Sequence, residues 1–431
     1  MTLLDLVPTL RRSHPVALEP DLWPSSAHMT DAADLVVGGV SLVDLAARHL
    51  TPVQVLDLGE VDRRVAALRG ALPGAEIAYA GKALLCRGLV RHLDALGCAL
   101  DVCSGGEAAI AEAAGFPAPR MIMHGTAKTV GDLDHRVGRI VLDRPDEPVP
   151  LARPQRVLLR IAPEVDARTH PKITTGTEAQ QFGVPIADAE AAIGTLLARP
   201  GLHLVGLHCH LGSQVRAVDA YEEAARRMVR LLGRVRERYG LTLTRLDLGG
   251  GFAVPYRPGE PEFDLAGYAR RVLVALAYES GRAGLPRPRL TVEPGRWVVG
   301  PAGITLYRVA AVKGRYVSVD GGMSDNPRPA LYGARYHARL VGRRSSDPLV
   351  PRTVVGRHCE AGDVLAADVP LPAHLRPGDL LAVPVTGAYH LSMASTYNAV
   401  GRPPLIAVRD GRARVLLRRE TAADLLRRDV G

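Results

Sequence analysis

Short apolar runs alternate with longer amphipathic stretches over most of the first 300 residues. Eight runs of strand length occur at 77–80, 99–102, 121–123, 140–142, 157–161, 204–208, 246–248 and 290–293. Most are separated by Ala-, Leu- and Arg-rich segments with helical spacing, as at 84–96, 107–114 and 221–239. Eight strands alternating with helices predict a parallel (β/α)8 barrel, although a doubly wound open sheet has the same local pattern.

The positions of the polar residues favour the barrel over the open sheet. Groups able to carry chemistry follow the predicted strands directly: Lys82, Ser104-Gly-Gly-Glu107, His124-Gly125, Arg160, His208-Cys-His210, Gly249-Gly-Gly251 and Glu293-Pro-Gly-Arg296. In a parallel barrel, the carboxyl ends of all strands meet on one face, where the active sites of such barrels lie. We therefore expect these residues to share one site.

The pattern changes after about residue 300. Short strand-like runs with Gly and Pro turns and little helix between them occur at 304–312, 316–319, 353–357, 380–385 and 405–408. They predict a second, all-β domain that resembles a Greek-key barrel. The expected organisation is a lead-in at 1–52 whose strand associates with the β domain, a barrel at 53–298 and the β domain at 299–431.

Composition narrows the class of protein. The 431 residues include 47% hydrophobic ones, and the net charge of +9 comes from scattered arginines, which does not indicate nucleic-acid binding. The five cysteines form no CxxC pair, which favours a reducing compartment. Because we also expect no signal peptide and no membrane span, the sequence predicts a cytoplasmic protein.

Lysine is rare, and one lysine stands out. Only four of the 54 basic residues are lysines: Lys82, Lys128, Lys172 and Lys313. Lys82 follows the apolar run 77–80 directly. A lysine, unlike an arginine, can lose its proton and attack a carbonyl to form an imine, although low lysine content can also be a compositional accident.

Three other strand-end motifs are ambiguous one by one but fit a single cofactor together. The glycines 249–251 can cradle a phosphate or form a tight turn, and Glu293 can be catalytic or belong to a structural salt bridge. His208 and His210 could be metal ligands, but we favour one as a stacking residue, the other as a filler, and no metal. An amine, a glycine cradle, an acid and a stacking ring are what pyridoxal 5'-phosphate requires.

Two motifs of the β region remain open when considered alone. The segment 320–332 is polar and rich in turns, with Arg328 and Tyr332 four residues apart. It lacks the spacing and terminal Glu of an EF-hand calcium loop. Cys359 precedes Glu360 after another strand-like run, where a free thiol is by default a small buried hydrophobic group.

The ordered motifs resemble the alanine-racemase-like, barrel-type pyridoxal-phosphate decarboxylases, and among them the diaminopimelate decarboxylases. The resemblance extends from about residue 35 to the C-terminus. It includes Tyr79-Ala-Gly-Lys82, Leu100-Asp-Val-Cys-Ser-Gly-Gly-Glu107, Thr169-His-Pro-Lys-Ile-Thr-Thr-Gly176, Leu207-His-Cys-His210-Leu-Gly-Ser213, Asp247-Leu-Gly-Gly-Gly251, Glu293-Pro-Gly-Arg296, the 320–332 segment, His358-Cys359-Glu360, Thr386-Gly-Ala-Tyr389 and Ser395-Thr-Tyr-Asn398.

The resemblance implies a role for each site residue. Lys82 would form the Schiff base with the cofactor, His210 would lie against its ring, and Glu293 would pair with its pyridinium nitrogen. The phosphate would be held by Ser213, Gly250, Gly251, Gly295 and Tyr389, with Arg296 also at the cofactor. The distal carboxylate of the substrate would be gripped by Arg296, Arg328 and Tyr332, and Tyr389 would also contact the substrate. Glu360 would receive the distal ammonium and Cys359 would return a proton. Family dimers supply the last two from the neighbouring subunit.

Several positions depart from the family pattern. Thr126 and Ala127 replace a more usual Asn-Asn, and Gln181 stands where Lys is common. His390 follows Tyr389 where a smaller residue is usual, and Leu50 replaces a Gly before Thr-Pro. None removes an expected catalytic residue, but substitutions near the mouth of the site are compatible with a modified substrate.

The expected reaction is the decarboxylation of meso-2,6-diaminopimelate to L-lysine and carbon dioxide by a homodimer, with neither nucleic acid nor a membrane as partner. One alternative is a decarboxylase of the same fold that acts on a conjugated or carrier-tethered amino acid. A non-catalytic pyridoxal-phosphate-binding regulatory protein is an alternative of another class. An amino-acid racemase fits less well, because the 320–332 and Cys359-Glu360 segments resemble those of decarboxylases.

Overall fold

The structure is a computed structural model that describes residues 18–19, 21–149, 154–166 and 181–431. Residues 1–17 of the predicted lead-in and the whole 169–176 motif lie outside the described residues. The chain forms two compact units. The first, called the barrel unit, contains Asp62–Val254 and Glu262–Val298. The second, called the β unit, contains the described residues of Met1–Val61 together with Pro255–Pro261 and Val299–Gly431.

The strands of the described residues are numbered here in chain order. They are β1 (His28–Met29), β2 (Leu35–Val37), β3 (Val40–Ser41), β4 (Val53–Asp57), β5 (Glu76–Ala80), β6 (Ala99–Val102), β7 (Met121–Met123), β8 (Arg139–Leu142), β9 (Gln155–Ala162), β10 (Val184–Pro185), β11 (Leu202–His208), β12 (Arg245–Asp247), β13 (Arg289–Val292), β14 (Gly303–Lys313), β15 (Tyr316–Val319), β16 (Arg339–Val341), β17 (Leu349–Val355), β18 (Val364–Pro372), β19 (Leu380–Pro384), β20 (Leu405–Arg409) and β21 (Arg412–Leu417).

The α-helices are numbered in the same way. They are α1 (Leu42–His49), α2 (Leu58–Ala71), α3 (Arg87–Ala95), α4 (Gly105–Ala113), α5 (Val130–Leu133), α6 (Ala189–Leu197), α7 (Val218–Tyr239), α8 (Leu265–Arg282), α9 (Arg296–Val299), α10 (Arg328–Tyr332) and α11 (Ala422–Leu426). Within the described ranges, no helix combines the length and the apolar character needed to cross a membrane.

The barrel unit confirms the predicted fold class. Eight parallel strands pair in the order β5-β6-β7-β8-β9-β11-β12-β13, and β13 pairs with β5, which closes the sheet into a barrel. All eight predicted runs are strands of this barrel. Five small or branched side chains of the barrel strands form a buried hydrophobic cluster, so the barrel has a packed core and not a pore. They are Ala78, Ala99, Ile122, Val141 and Leu158.

The β unit contains a sheet whose central path runs β18-β17-β15-β14-β4-β20-β21, with β19 paired to β14 and β16 paired to β19. The five runs predicted after residue 300 are all strands. Strand β4 lies in this sheet, antiparallel to β14 and parallel to β20. The units therefore divide the chain differently from the predicted boundaries, because β4 and Pro255–Pro261 belong to the β unit. The run at 53–57 is fully buried, so the sequence does not show which sheet it joins.

Leu50 has a backbone conformation that glycine adopts more readily. Its φ of 59° and ψ of 163° lie in a region that is almost restricted to glycine, and its side chain is 65% exposed. We therefore expect Leu50→Gly to raise the free energy of unfolding by about 1 kcal/mol, since strain is relieved while little burial is lost. Urea unfolding measures this change. Leu349→Gly is the matched control. Leu349 is 64% exposed but starts a strand, so replacing it by glycine should lower the free energy of unfolding. A lower unfolding midpoint for Leu50→Gly would show that the backbone of Leu50 is not strained.

Candidate active site

A cavity of about 310 Å³ lies in the barrel unit at the carboxyl ends of its strands. The residues lining it come from six of the eight strand ends and include the predicted Lys82, His210, Ser213 and Glu293. The full lining also contains Gly81, Asp101, Val102, Cys103, Glu107, His124, Gly125, Arg160, Phe182, His208 and Gly212. The structure thus brings most of the polar strand-end residues together, as the barrel prediction requires.

Glu293 lines this cavity and lies between two imidazoles. Its Oε1 is 3.0 Å from His124 Nε2, and its Oε2 is 3.4 Å from His208 Nε2. Burial alone would raise the pKa of the Glu293 carboxyl, but the two histidines outweigh it and hold this pKa well below its usual range. Glu293 is therefore an ionised carboxylate in a buried position.

His124 is the cationic partner in this arrangement. Its Nε2 is also 2.6 Å from Asp101 Oδ1. Burial opposes protonation of His124, yet the carboxylates of Asp101 and Glu293 raise its pKa to about 10. The pKa of Asp101 is in turn raised to about 6, chiefly by burial and then by the charge of Glu293. One imidazolium thus stabilises two buried carboxyl groups.

His208 is a hydrogen-bonding residue, and its predicted role as a filler was wrong. The two rings of His124 and His208 meet edge to face, with centroids 5.1 Å apart. Burial lowers the pKa of His208 to about 4, so it is neutral at pH 7 and supports Glu293 as a hydrogen-bond donor. The donor atoms of Glu293 and the two histidines lie within 4.8 Å of one another. Within this group His208 forms a hydrogen bond with Glu293, and His124 contacts Glu293 as an ion pair.

His210 is fixed by the glycine run 249–251. The Gly250 N–H donates to His210 Nδ1 at 3.2 Å, so the other ring nitrogen carries the proton of the neutral imidazole. Burial, with the charge of Lys82, lowers the pKa of His210 well below its usual value. A Cβ at Gly249 would lie 2.5 Å from His210 Nδ1, and its φ is +67°. Glycine at 249 therefore leaves the room that the His210 imidazole occupies.

Lys82 and the other predicted cofactor contacts lie close to this group. Lys82 sits in a single helical turn, Gly81–Ala83, directly after β5. Arg296 Nη2 donates to Ser213 Oγ at 2.9 Å, which joins two predicted contacts. A Cβ at Gly295 would lie 3.0 Å from the Cβ atoms of Ala80 and Ala83. Glycine at 295 thus lets the Glu293-Pro-Gly-Arg296 turn pack against the segment that carries Lys82.

Asp101, Arg160 and Phe182 belong to the cavity but received no predicted role. The Arg160 guanidinium lies 4.5 Å from the centre of the Phe182 ring and 3.5 Å from Asp143 Oδ1. Burial lowers the pKa of Arg160. Arg160 follows a predicted strand, and this position could have indicated a role in the site. Asp101 lies inside an apolar run and Phe182 lies on a loop, so the sequence pattern did not indicate a role for either. Ser104 Oγ accepts the N–H of Glu107, so this strand-end motif also caps α4.

Lys128 has a structural role that explains why this lysine is present. Its Nζ donates to Gly125 O at 2.6 Å and to Glu147 Oε1 at 2.8 Å, and its side chain is buried. It thereby ties the loop after β7 to the loop after β8. Neither Thr126 nor Ala127 lines the cavity.

We expect Lys128→Met to lower the free energy of unfolding by about 3 kcal/mol, because Glu147 would remain buried without its cation. Guanidinium unfolding measures the change. Lys313→Met, at an exposed lysine, is the control and should shift stability by less than about 0.5 kcal/mol. Equal effects of the two substitutions would show that the buried pair contributes little.

In the β unit, Arg328 is buried against two tyrosines. Its guanidinium carbon lies 4.7 Å from the ring centre of Tyr256 and 5.6 Å from that of Tyr336, and it donates to the Tyr336 hydroxyl. Burial would lower the pKa of Arg328, but Tyr256 and Tyr336 raise it above its usual value. Tyr332, at the end of the same short helix α10, is 42% exposed. Arg328 is thus a fixed cation and Tyr332 a surface group.

Cys359 and Glu360 are exposed residues of the β unit. Glu360 borders a second cavity, of about 520 Å³, with Met323, Leu331, Met393 and Tyr397 among its lining. The preceding His358 anchors this turn: its Nε2 lies 2.9 Å from Ser324 Oγ and its Nδ1 3.1 Å from Asn398 Oδ1. The predicted default of a buried thiol is wrong for Cys359, which is exposed in the turn after β17.

Comparison with known proteins agrees with this geometry. Residues 58–300 match the family described as "Pyridoxal-dependent decarboxylase, pyridoxal binding domain". A diaminopimelate decarboxylase of Actinosynnema pretiosum subsp. auranticum is 56% identical over 447 residues, which cover 100% of both chains. One from Mycobacterium tuberculosis H37Rv is 42% identical over 440 residues, covering 96% of this chain and 98% of that one.

A solved structure shows the same similarity. The diaminopimelate decarboxylase of M. jannaschii in complex with L-lysine has a TM-score of 0.87 and 28% identity, and covers 95% of this chain and 99% of that one. The barrel, its lysine-bearing cavity and these matches define a barrel-type, pyridoxal-phosphate-dependent decarboxylase. Within that class, the chain belongs to the diaminopimelate decarboxylase family.

Proposed function

We propose that the protein decarboxylates meso-2,6-diaminopimelate to L-lysine and carbon dioxide. The observation that carries the proposal is the barrel cavity, in which Lys82 shares a lining with the ionised Glu293 and the neutral His210. Relatives that cover the whole chain carry the name of this activity, and a structural neighbour was solved with L-lysine.

The residues of the cavity fit pyridoxal 5'-phosphate. Its chemistry requires an amine, an anionic partner for a ring nitrogen and a flat group beside the ring, and Lys82, Glu293 and His210 supply these in one space. When bound, the cofactor withdraws the electron pair left at Cα as carbon dioxide departs. The phosphate would be held by Ser213, Gly250, Gly251, Gly295 and Tyr389, and Arg296 would also contact the cofactor. The Gly250 N–H already donates to His210, so Gly250 would contact the phosphate only through the close approach of its backbone.

Glu293 would keep the proton on the ring nitrogen of the cofactor. A carboxylate with a strongly lowered pKa takes up a proton poorly, so a proton shared with it stays on the more basic nitrogen. His124 and His208, which line the same cavity, maintain this state of Glu293. The neutral His210 would cover the ring and exclude water without adding a competing charge.

The remaining roles concern the substrate. Arg296, Arg328 and Tyr332 would bind the distal carboxylate, for which a guanidinium offers paired donors, and Tyr389 would also contact the substrate. Glu360 would bind the distal ammonium, and the Cys359 thiol would donate a proton to Cα. Support for these roles comes from Arg328, a buried cation that no carboxylate among the described residues pairs with, and from the exposure of the Cys359-Glu360 turn.

We also propose a homodimer in the cytoplasm. The exposed Cys359 and Glu360 suit a turn that completes the site of a neighbouring subunit, as the family resemblance implies. The cysteines are free thiols, three of them buried, which suits a reducing compartment. Sedimentation equilibrium measures the oligomeric state. Mixing inactive Lys82→Arg with inactive Cys359→Ala protein should restore part of the activity if sites are shared between subunits.

The direct test of the reaction is carbon dioxide release and L-lysine formation from meso-diaminopimelate with pyridoxal phosphate. Stoichiometric formation of both products is the expected result. Carbon dioxide release distinguishes a decarboxylase from a racemase or a cofactor-binding regulator. A protein that binds the cofactor but leaves meso-diaminopimelate unchanged would exclude the proposed substrate and favour a conjugated or carrier-tethered amino acid.

A further inference from the structure

Arg328 occupies a site built for an anion. The side chain is buried, yet among the described residues no carboxylate forms an ion pair with it. Its neighbours are the ring faces of Tyr256 and Tyr336, whose centroids are 5.2 Å apart in an edge-to-face arrangement. Burying a cation without a counter-charge is costly, so an incoming carboxylate would complete this site.

Tyr336 connects Arg328 to His390. The Tyr336 hydroxyl accepts a hydrogen bond from Arg328 and lies 3.0 Å from His390 Nε2. The rings of Tyr336 and His390 are 5.3 Å apart and nearly perpendicular. A phenol has one proton to donate, so the hydroxyl that accepts from Arg328 can donate that proton to His390. The phenol oxygen thereby becomes a better acceptor for the guanidinium.

His390 also fixes the turn that carries Tyr389. The backbone of Tyr389 has a φ of +62°, an uncommon conformation for a bulky residue. In the same turn, a Cβ at Gly387 would lie 1.8 Å from Val299 O, so the backbone packs closely there. The buried His390 side chain holds the residue next to this strained position. A smaller side chain at 390 could not reach Tyr336.

We propose that Tyr336 and His390 are positioning residues that orient the Arg328 guanidinium toward the distal carboxylate of the substrate and so set specificity for a substrate that has one. The inference rests on the proposed function. The resemblance to the family implies a smaller side chain at position 390, and the hydrogen bond to Tyr336 depends on the imidazole present in this chain. Neither Tyr336 nor His390 needs to touch the substrate.

Two ligands separate positioning from general damage. L-Lysine carries the carboxylate that the distal end of the substrate would present, and cadaverine is the same diamine chain without it. We expect Tyr336→Phe and His390→Leu holoenzymes to bind L-lysine about 10-fold more weakly by calorimetry, the loss typical of a hydrogen bond to a charged group. Cadaverine affinity should stay within about 2-fold. With meso-diaminopimelate, KM should rise while kcat changes little.

Matched variants complete the test. His390→Gln keeps a hydrogen-bond acceptor for the phenol and should restore most of the L-lysine affinity. Tyr316→Phe removes another tyrosine hydroxyl that accepts from an arginine, Arg315, but on an exposed strand, and should change nothing. Equal losses for both ligands, or an unchanged L-lysine affinity in Tyr336→Phe, would overturn the inference. If the wild-type enzyme neither bound L-lysine nor released carbon dioxide from meso-diaminopimelate, the proposed function itself would fail.

Discussion

Lys82→Arg is expected to lower the rate of decarboxylation by at least about 10³-fold, because a guanidinium stays protonated and cannot form an imine with an aldehyde. The variant retains the positive charge beside His210 and Asp101, so the electrostatics of the cavity change little. The visible absorbance band of lysine-bound pyridoxal should disappear, and borohydride should no longer attach the cofactor covalently to the protein. Both are measured on protein purified with added cofactor.

Lys313→Arg is the control for this substitution, because Lys313 is an exposed residue at the end of β14. It should retain full activity and the absorbance band. A Lys82→Arg protein that keeps the band would show that another amine holds the cofactor. Lys128, buried against Glu147, is not available for that role without the loss of its ion pair.

Glu293→Gln is expected to lower kcat by about 10²-fold or more, the scale typical of removing a preorganised charge at a reacting centre. A neutral amide cannot keep a proton on the ring nitrogen, so the cofactor would take up electrons less readily. The pKa of His124, raised to about 10 by two carboxylates, should fall, because only Asp101 would remain beside it. Imidazole resonances followed by NMR against pH report that pKa even without turnover.

Glu279→Gln is the matched control for this change. Glu279 is also a buried carboxylate of the barrel unit, paired with Arg226 and Arg230 between α7 and α8, but it does not line the cavity. The Glu279→Gln substitution should lower the free energy of unfolding but leave kcat and the pKa of His124 unchanged. If Glu293→Gln matched this control in kcat, the acid would be a structural ion-pair partner, the reading that the sequence alone left open.

The barrel was predictable because each of its strands leaves a local signal. Fully buried parallel strands are continuous apolar runs, and helices with one polar face separate them, so their number and order can be read directly. Strands at the edge of the β unit leave a weaker signal. Strand β21 is almost wholly exposed, and β18 contains Asp368 and two prolines. The prolines of β18 argue against a strand, and neither β18 nor β21 was predicted.

The candidate site was predictable as a set of residues but not as a network. Lys82, His210 and Glu293 follow strands and share the cavity, as expected. The pairing of Glu293 with His124 and His208 depends on which strand ends face each other across the barrel. No local sequence pattern shows which strand ends are close together. Asp101 was missed for a related reason: one carboxyl inside an apolar run is read as part of a strand.

Strand β4 makes the β unit discontinuous along the chain. Because β4 pairs with both β14 and β20, a fragment that begins after residue 298 would have an open slot between two strands. Such a fragment would expose unpaired backbone groups and is expected to aggregate. During synthesis, residues 53–57 leave the ribosome long before either partner strand, so they must wait while the barrel forms. A separately supplied peptide spanning β4 is therefore a rational way to rescue the fragment, in the manner of split-protein complementation.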